Sequence, residues 1–595
     1  MDQLIKPHGG NLINLLADEK CVAQLKLESQ GLMSVTLSQR QLCDLELLMN
    51  GAFSPLTGFM TEQVYERVLL EMRLHTGLLW PMPVTLDIPD AQAGKLEQGA
   101  RIALRDEEGF MLAVMQVESL WRPDKKREAE LIYGTASDEH PGVRHLYEKT
   151  HANYVGGTVE GMQLPYHYDF QTLRDTPQEL RHLFDKMGWR RVVAFHTSKP
   201  MHRVHREITL CAAKEAHANI LLHPAVGMTK PGDLHYYASV HCYQAIRRHY
   251  PHNMAALSLL PQALRMAGPR EALLNAIIRQ NYGCTHFIVG PEHAAPPGVR
   301  EGGARFYAAG AAQKLVKRHQ DELGIRIVPV QEMRYVPEDG RFLSVKQIER
   351  ENKNGTLFSE QKLYEHLDRN KLVPAWFSYP EVIAELRKVR PPRSEQGMTL
   401  FFTGLSGSGK STLAKILYAK FIEAGGRPVT LLDGDVVRLN LSSELGFSKV
   451  HRDLNVRRIG FVASEITKNG GVAICAPIAP YTSTRRAVRE LIEQHGAFIE
   501  IHVATPLEVC ESRDRKGLYA KARQGLIPEF TGISDPYEVP EHPELLINTA
   551  ELSPMQAAQD ILLYLLSEGY LDASSSADFD AAEMGGGISA LQKEG

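Results

Sequence analysis

At 595 residues the chain is too long for one hydrophobic core, and ordinary domain sizes predict roughly three or four folded regions. Hydrophobic residues at 43% and charged residues at 23% make an ordinary globular composition. A formal net charge of -4 argues against a general nucleic-acid or anionic-membrane binder, while leaving room for local basic patches that handle phosphate.

The seven cysteines (Cys21, Cys43, Cys211, Cys242, Cys284, Cys475, Cys510) are scattered with no CxxC pair, which reads as reduced thiols. The opening MDQLIKPHGGNL has no apolar signal core, and no run reaches the ~18 apolar residues of a membrane span. The expectation is a cytoplasmic protein with no membrane and no nucleic-acid partner.

Residues 1–168 carry short apolar runs broken by Gly and Pro: PMPVTLDI (81–88), ARIALRD (100–106) and FMLAVMQVESLW (110–121). Period-two stretches between turn residues predict a β-rich region. From Arg190 the texture changes. Strands RVVAF (191–195), NILLHP (219–224), MAALSLL (254–260), THFIVG (285–290) and IRIVPV (325–330) alternate with helical segments, the pattern of a parallel sheet with crossover helices. A mixed stretch closes this 169–390 region, and PPRSEQG (391–397) reads as a linker. A second α/β region, 398–571, has strands MTLFFTG (398–404), RPVTLLD (427–433), GVAICAPI (471–478), AFIEIHVA (497–504) and ELLINT (544–549). Residues 572–595 are rich in Ser, Ala and Gly and read as a disordered tail.

Gly404-Leu405-Ser406-Gly407-Ser408-Gly409-Lys410-Ser411, followed by Thr412, satisfies G-x-x-x-x-G-K-[ST] between a strand and a helical run. Glycines there let backbone N–H groups converge on phosphate oxygens, Lys410 reaches the β- and γ-phosphates, and Ser411 ligates Mg²⁺. A P-loop says only that a nucleoside triphosphate binds. Asp433-Gly434-Asp435 ends the next strand and puts two carboxylates beside the phosphates, one for Mg²⁺ and one to accept a hydroxyl proton. Alone, such a tripeptide is as often a plain turn. The run CESRDRKGLYAKAR (510–523) is either a phosphate-neutralising lid or a solvated basic helix.

With GFS (446–448), NVRRIG (455–460) and FTGISDPYE (530–538), residues 398–571 resemble the adenylylsulfate (APS) kinase family. The resemblance implies a parallel-sheet P-loop kinase that moves the γ-phosphate of ATP to the 3′-hydroxyl of APS, giving PAPS, with Mg²⁺ on Ser411 and Asp435. It implies catalytic roles for Lys410, Asp433, Asp435 and Lys521. Arg438, Arg452, Asn455 and Arg458 then hold APS, with its adenine between Phe447 and Phe530. One departure stands out. Where the family has Ile-Ser-Pro-Tyr-Arg, this chain reads Ile478-Ala479-Pro480-Tyr481-Thr482, so no serine is present for a phosphoenzyme and direct transfer is expected.

Further upstream, Pro200-Met201-His202-Arg203-Val204-His205 opens a helical segment after RVVAF. His202 and His205 share one helical face. Spacing alone allows a metal pair, a structural pair, or imidazoles donating to phosphate at a strand-to-helix turn. Residues 7–12 (PHGGNL), 44–60, 131–143, 154–159 (YVGGTV), 222–233 (LHPAVGMTKPGD), 257–289 and 374–382 (PAWFSYPEV) resemble the ATP sulfurylase family across 1–390. That resemblance implies a PUA-like barrel in 1–168 and a Rossmann-like nucleotidyltransferase in 169–390. The implied reaction joins sulfate to the α-phosphate of ATP and releases pyrophosphate. His202 and His205 would be catalytic, with Thr197, Lys199 and Arg265 on the nucleotide. ATP, APS, sulfate and pyrophosphate become the expected small-molecule partners, in a homo-oligomer.

The match fails at the reacting loops. The family's Gln-Thr-Arg-Asn-Pro is His196-Thr197-Ser198-Lys199-Pro200, its Gly-Arg-Asp-His-Ala-Gly is Gly290-Pro291-Glu292-His293-Ala294-Ala295, and its Thr-Arg-Val-Arg is Ala238-Ser239-Val240-His241. Neither Ser nor Pro replaces an arginine fork on a tetrahedral oxyanion. Two readings follow: a bifunctional enzyme making PAPS from sulfate and two ATP, or an APS kinase carrying an impaired sulfurylase region as scaffold or ligand-binding module.

Overall fold

The computed structural model describes residues 4–571 except 198, 228–235, 297, 299–302, 447 and 515–516, and of Asp435 only the backbone. The chain divides into two compact units, Met1–Phe358 with Val373–Val389, and Ser359–Leu372 with Arg390–Gly595.

In the first unit the β-rich region forms a six-stranded sheet. Its path runs Met33–Thr36, Arg101–Arg105, Met111–Trp121, Asn153–Gly161, Gly58–Phe59, with Leu86–Ile88 also paired to Asn153–Gly161. Only the first pairing is parallel. Helices Glu19–Glu28, Gln39–Met49 and Glu62–Glu71 accompany it, more helix than the Gly/Pro-broken texture suggested. The α/β region supplies a five-stranded parallel sheet in the order Arg326–Pro329, His286–Val289, Val192–Phe195, Asn219–Leu222, Ala255–Leu257. Trp121 and Tyr154 from the first sheet and Val192, Leu221 and Phe287 from the second belong to one continuous core. Helix Pro269–Asn281 is buried on every side, which is why its sequence shows little amphipathic rhythm.

The second unit is built on a wholly parallel sheet ordered Val429–Asp433, Val472–Ala476, Met398–Thr403, Ala497–Val503, Leu545–Ile547. Its central strand Met398–Thr403 is buried throughout, with Met398, Leu400 and Phe402 in the core on one face and Phe401 in the core on the other. Burial on both faces explains why the strand reads as an unbroken apolar run. Helix Glu360–Asp368 belongs to this unit, where Asp368 pairs with Arg390 at 2.6 Å. Residues 391–397 contain a turn at 393–395 and are tied down by hydrogen bonds. The Arg393 N–H donates to the Asp368 carbonyl at 2.8 Å, and Arg427 donates to that of Gln396 at 2.7 Å.

Candidate functional site

The P-loop leaves the central strand of the second unit and enters helix Lys410–Ala424. Gly404, Gly407 and Gly409 take φ values of 146°, 75° and 108°, a region that side chains disfavour. A Cβ on Gly404 would stand 2.6 Å from the Val503 carbonyl, so there the close approach itself demands glycine. Lys410 is buried and donates through Nζ to the carbonyls of Gly404 (2.9 Å) and Leu405 (2.7 Å). Burial lowers its pKa to about 8. Its ammonium thus lies folded against the loop that a triphosphate would occupy.

Ser411 donates to Asp433 Oδ1 at 3.0 Å, and the same oxygen accepts the Gly434 N–H at 2.8 Å at the start of helix Gly434–Asn440. Hydroxyl, carboxylate and lysine therefore meet at the carboxyl end of the sheet, where doubly wound folds bind ligands. Of the other P-loop residues, Leu405, Ser406, Ser408 and Thr412, side chains brace Ser406 and Ser408 from behind through their carbonyls. Tyr519 donates to the Ser406 carbonyl (2.8 Å), and Thr505 and Thr549 donate to that of Ser408 (2.9 and 2.8 Å). Arg513 in turn grips Thr549 through its hydroxyl (2.8 Å) and carbonyl (2.9 Å). Arg513 and Tyr519 of the basic run are thus part of the loop's support.

The residues expected at the acceptor divide. Arg452 is bonded to Thr531 (2.6 Å), Tyr481 (2.8 Å) and Asp535 (3.0 Å). Asn455 is buried one turn further along helix Lys449–Lys468. Phe530 meets Tyr519 edge-on at 5.1 Å, and Arg438 donates to the Leu445 carbonyl at 3.3 Å. Arg458 donates to Glu444 (2.6 Å) and to the Leu441 carbonyl (2.9 Å) of the neighbouring turn. Lys521 lies exposed on helix Leu518–Arg523. Phe447, the Asp435 side chain and residues 515–516 of the basic run lie outside the described residues, as do 572–595.

Ala479 is buried with φ 46°, and its carbonyl accepts from Arg485 Nη1 at 2.8 Å. Arg485 also donates to the Glu538 carbonyl (2.9 Å), and Thr403 donates to that of Ile478 (2.8 Å). The loop carrying the family's serine position is therefore tied to the P-loop strand and to the 530–538 segment.

The first unit repeats the strand–loop–helix plan with different chemistry. Val192–Phe195 leads through residues 196–202 into helix Arg203–Ala216. His205 Nδ1 accepts the His202 N–H at 3.0 Å, closing the helix on itself. His202 Nδ1 meets Ser378 Oγ at 2.9 Å and its ring lies 4.4 Å from Phe377. Burial, with His205 adding to it, lowers the His202 pKa to about 3, so it is a neutral imidazole at pH 7. Lys199 is exposed, and its backbone N–H donates to Thr197 Oγ1 at 3.0 Å. Tyr243 fixes the same loop by donating to the Thr197 carbonyl at 2.6 Å. The Arg203 guanidinium lies over the Tyr379 ring at 4.1 Å.

Arg265 is buried. It pairs with both oxygens of Asp44 (2.8 and 2.6 Å), with side chains 1% and 2% exposed. A guanidinium so enclosed is held by a buried carboxylate of the same unit. Ser239 is buried on helix Tyr236–Arg247, while Pro291 is exposed beside Glu292, which pairs with Arg305. His293 meets Asn275 at 3.1 Å and lies 5.7 Å from the His196 ring. Ser198 and residues 228–233 lie outside the described residues. Among the described residues no group of three His, Cys, Asp or Glu side chains is arranged for a metal ion, and no helix is long and apolar enough to cross a membrane.

Comparison with known proteins matches residues 5–164 to the PUA-like domain, 171–389 to ATP-sulfurylase and 396–548 to adenylylsulphate kinase. A sulfate adenylyltransferase of Chaetomium globosum is 50% identical over 95% of this chain and 99% of its own. One of Neurospora crassa is 48% identical with the same coverage. Among solved structures, the hexameric APS kinase from Thiobacillus denitrificans superposes with a TM-score of 0.79 at 42% identity, covering 96% of this chain and 99% of its own. The architecture is that of a bifunctional nucleotidyltransferase and kinase of sulfate assimilation, and the chain belongs to the family that joins an ATP sulfurylase to an APS kinase.

Proposed function

We propose that the second unit phosphorylates the 3′-hydroxyl of APS with ATP, and that the first unit has lost most of its sulfurylase turnover. The observation behind the first claim is the meeting of Lys410, Ser411 and Asp433 at the end of the central strand. Lys410 shifts from the loop carbonyls to the β- and γ-phosphates, where a fixed cation offsets charge that grows in the transition state. Its lowered pKa rises again beside that polyanion. Asp433 and Asp435 divide two roles, one on the metal side with Ser411 and one accepting the proton of the attacking hydroxyl. A hydroxyl 3.0 Å from a carboxylate at a P-loop fits Mg²⁺, which when bound neutralises and orients the triphosphate. Lys521 closes over the phosphates from the helix Leu518–Arg523. Transfer is direct, since Ala479 has no hydroxyl to phosphorylate.

The second claim rests on charge. Sulfate is a hydrated dianion and a poor nucleophile, and it must meet an already anionic α-phosphate. Positions 198, 239 and 291 carry Ser, Ser and Pro where the family has arginine, while Arg265 is closed in its own ion pair and His202 is neutral. Desolvating the dianion without compensating cations is costly. The relative described as an APS kinase alone aligns over its whole length, which fits this reading; the fungal relatives named sulfate adenylyltransferase favour the alternative, a working first reaction.

The deciding experiment assays both halves of one preparation: PAPS from APS and ATP, and ATP from APS and pyrophosphate. Efficient PAPS synthesis with negligible ATP formation is expected. Brisk ATP formation would overturn the second claim, and absent PAPS the first. We place the protein in the cytoplasm as a homo-oligomer, supported by the hexameric relative and by the lack of a membrane-crossing helix among the described residues.

A further inference from the structure

A knot of polar side chains draws three segments of the kinase unit together beside the acceptor residues. Arg452 comes from helix Lys449–Lys468, Tyr481 from the loop after Val472–Ala476, and Thr531 and Asp535 from the 530–538 turn. The Arg452 side chain is 10% exposed and that of Asp535 15%. Arg452 Nη1 donates to Thr531 Oγ1 at 2.6 Å, and Nη2 donates to Tyr481 Oη at 2.8 Å and to Asp535 Oδ2 at 3.0 Å. Tyr481 Oη donates onward to Asp535 Oδ2 at 2.8 Å. Two buried polar atoms next to this knot lack a partner among the described residues: Arg452 Nε, a donor, and Asn455 Oδ1, an acceptor three residues along the same helix. They share a helical face.

Leaving a buried donor and acceptor unmatched on one helical face costs stability unless water or a ligand completes them. An anion takes a hydrogen bond from Arg452 Nε–H, and a hydroxyl gives one to Asn455 Oδ1. What keeps the guanidinium oriented is the other side of its fork, and there Asp535 supplies the negative charge.

We propose that Asp535 is a positioning residue of the kinase, holding Arg452 directly and through Tyr481 so that Nε–H and Asn455 Oδ1 face an anionic nucleotide carrying a free hydroxyl. The inference rests on the APS kinase reading. Asp535 touches neither substrate nor reacting atoms. It removes the freedom of a long side chain before binding, so that less is lost when the acceptor arrives.

The test uses the full chain with Asp535→Asn and Tyr481→Phe, both near-isosteric. Asp535→Asn raises the Kd for APS, measured calorimetrically with ADP present, and the KM for APS by about tenfold, the size of one charge-assisted hydrogen bond. The KM for ATP and the kcat stay within about twofold. Tyr481→Phe gives a smaller rise, and the double variant gives less than the product of the two, because both act through one guanidinium. An unchanged or tighter Kd for APS in Asp535→Asn overturns the proposal, a tighter one meaning that the carboxylate competes for Arg452. Parallel losses in kcat and both KM values, with a lower melting temperature, also overturn it and leave a plain structural tie. A parent chain that fails to bind APS overturns the kinase reading as well, a separate and recognisable result.

Discussion

Both units place their candidate site where the central strand of a five-stranded parallel sheet runs into a helix, yet the two turns are made of opposite materials. In the kinase unit the turn is glycine at three positions with positive φ, a lysine folded over it and threonine, tyrosine and arginine bracing it from behind. In the first unit the turn ends in His202 with φ −117° and ψ 179°, and His205 accepts the very N–H that a phosphate would seek. The first helix start is closed on itself, and the second is open to an anion. The lesson is that sheet topology places a site but does not furnish it; the chemistry is decided by a handful of loop residues.

The contrast is broken most directly at Lys410. Lys410→Ala should lower kcat/KM for PAPS formation by about 10²–10³-fold or more, the cost of losing one preorganised transition-state contact. The melting transition should change little, since the loop glycines and their threonine support remain. A variant that still made PAPS at a near-parental rate would show that the open turn is not the kinase site.

Next in size is the first unit's lost charge. Restoring Ser198→Arg with Lys199→Asn, and then Pro291→Arg, should raise ATP formation from APS and pyrophosphate in steps, each guanidinium returning part of a factor of about 10²–10³. Flat activity across the series would place the defect elsewhere than in these positions.

Much of this was legible in the chain itself. Each β-strand expected in the two α/β regions is present, because burial on both faces leaves an unmistakable apolar run at residues such as 398–403, 472–476 and 497–503. The P-loop was legible because its function needs residue types at fixed spacing. The partners of Arg265 and Arg458 were not legible for one reason. A motif names a side chain but not its partner, and Asp44 lies 221 residues from Arg265 in sequence. Thr505 and Thr549 were missed, and Arg513 was seen only as part of the basic run, because holding backbone carbonyls imposes no sequence pattern. Asp535 was seen only as one letter of FTGISDPYE, its tie to Arg452 being a product of folding.

A smaller effect separates structural from functional arginine in the first unit. If Arg265 serves Asp44, Arg265→Ala leaves a buried carboxylate unpaired and should cost about 3–5 kcal/mol of first-unit stability. Denaturant melts of the full chain, followed by a probe in that unit, measure this. Unchanged stability with lost nucleotide affinity would return Arg265 to the binding site.

The smallest expected effect concerns protons at the closed turn. The folded-state pKa of His202 is about 3 against an ordinary 6.5, with burial as the main cause and His205 the lesser one. Folding therefore favours the neutral ring. Its contribution is complete above pH 6.5 and is lost as pH falls toward 3, because the unfolded chain binds the proton first. His145, with a pKa lowered to about 4 by burial, and His223, held well below its usual value, act in the same direction. First-unit stability should accordingly decline between pH 6 and 4 with a slope of several protons. His202→Gln should remove one of them, about 1.4 kcal/mol per pH unit. Absolute stability of the variant is irrelevant to this reading, since only the slope reports the proton. A slope identical to the parent's would mean that His202 is as easily charged in the folded protein as outside it. The turn would then be able to carry positive charge to a phosphate, and the distinction drawn between the two sites would weaken at its most specific point.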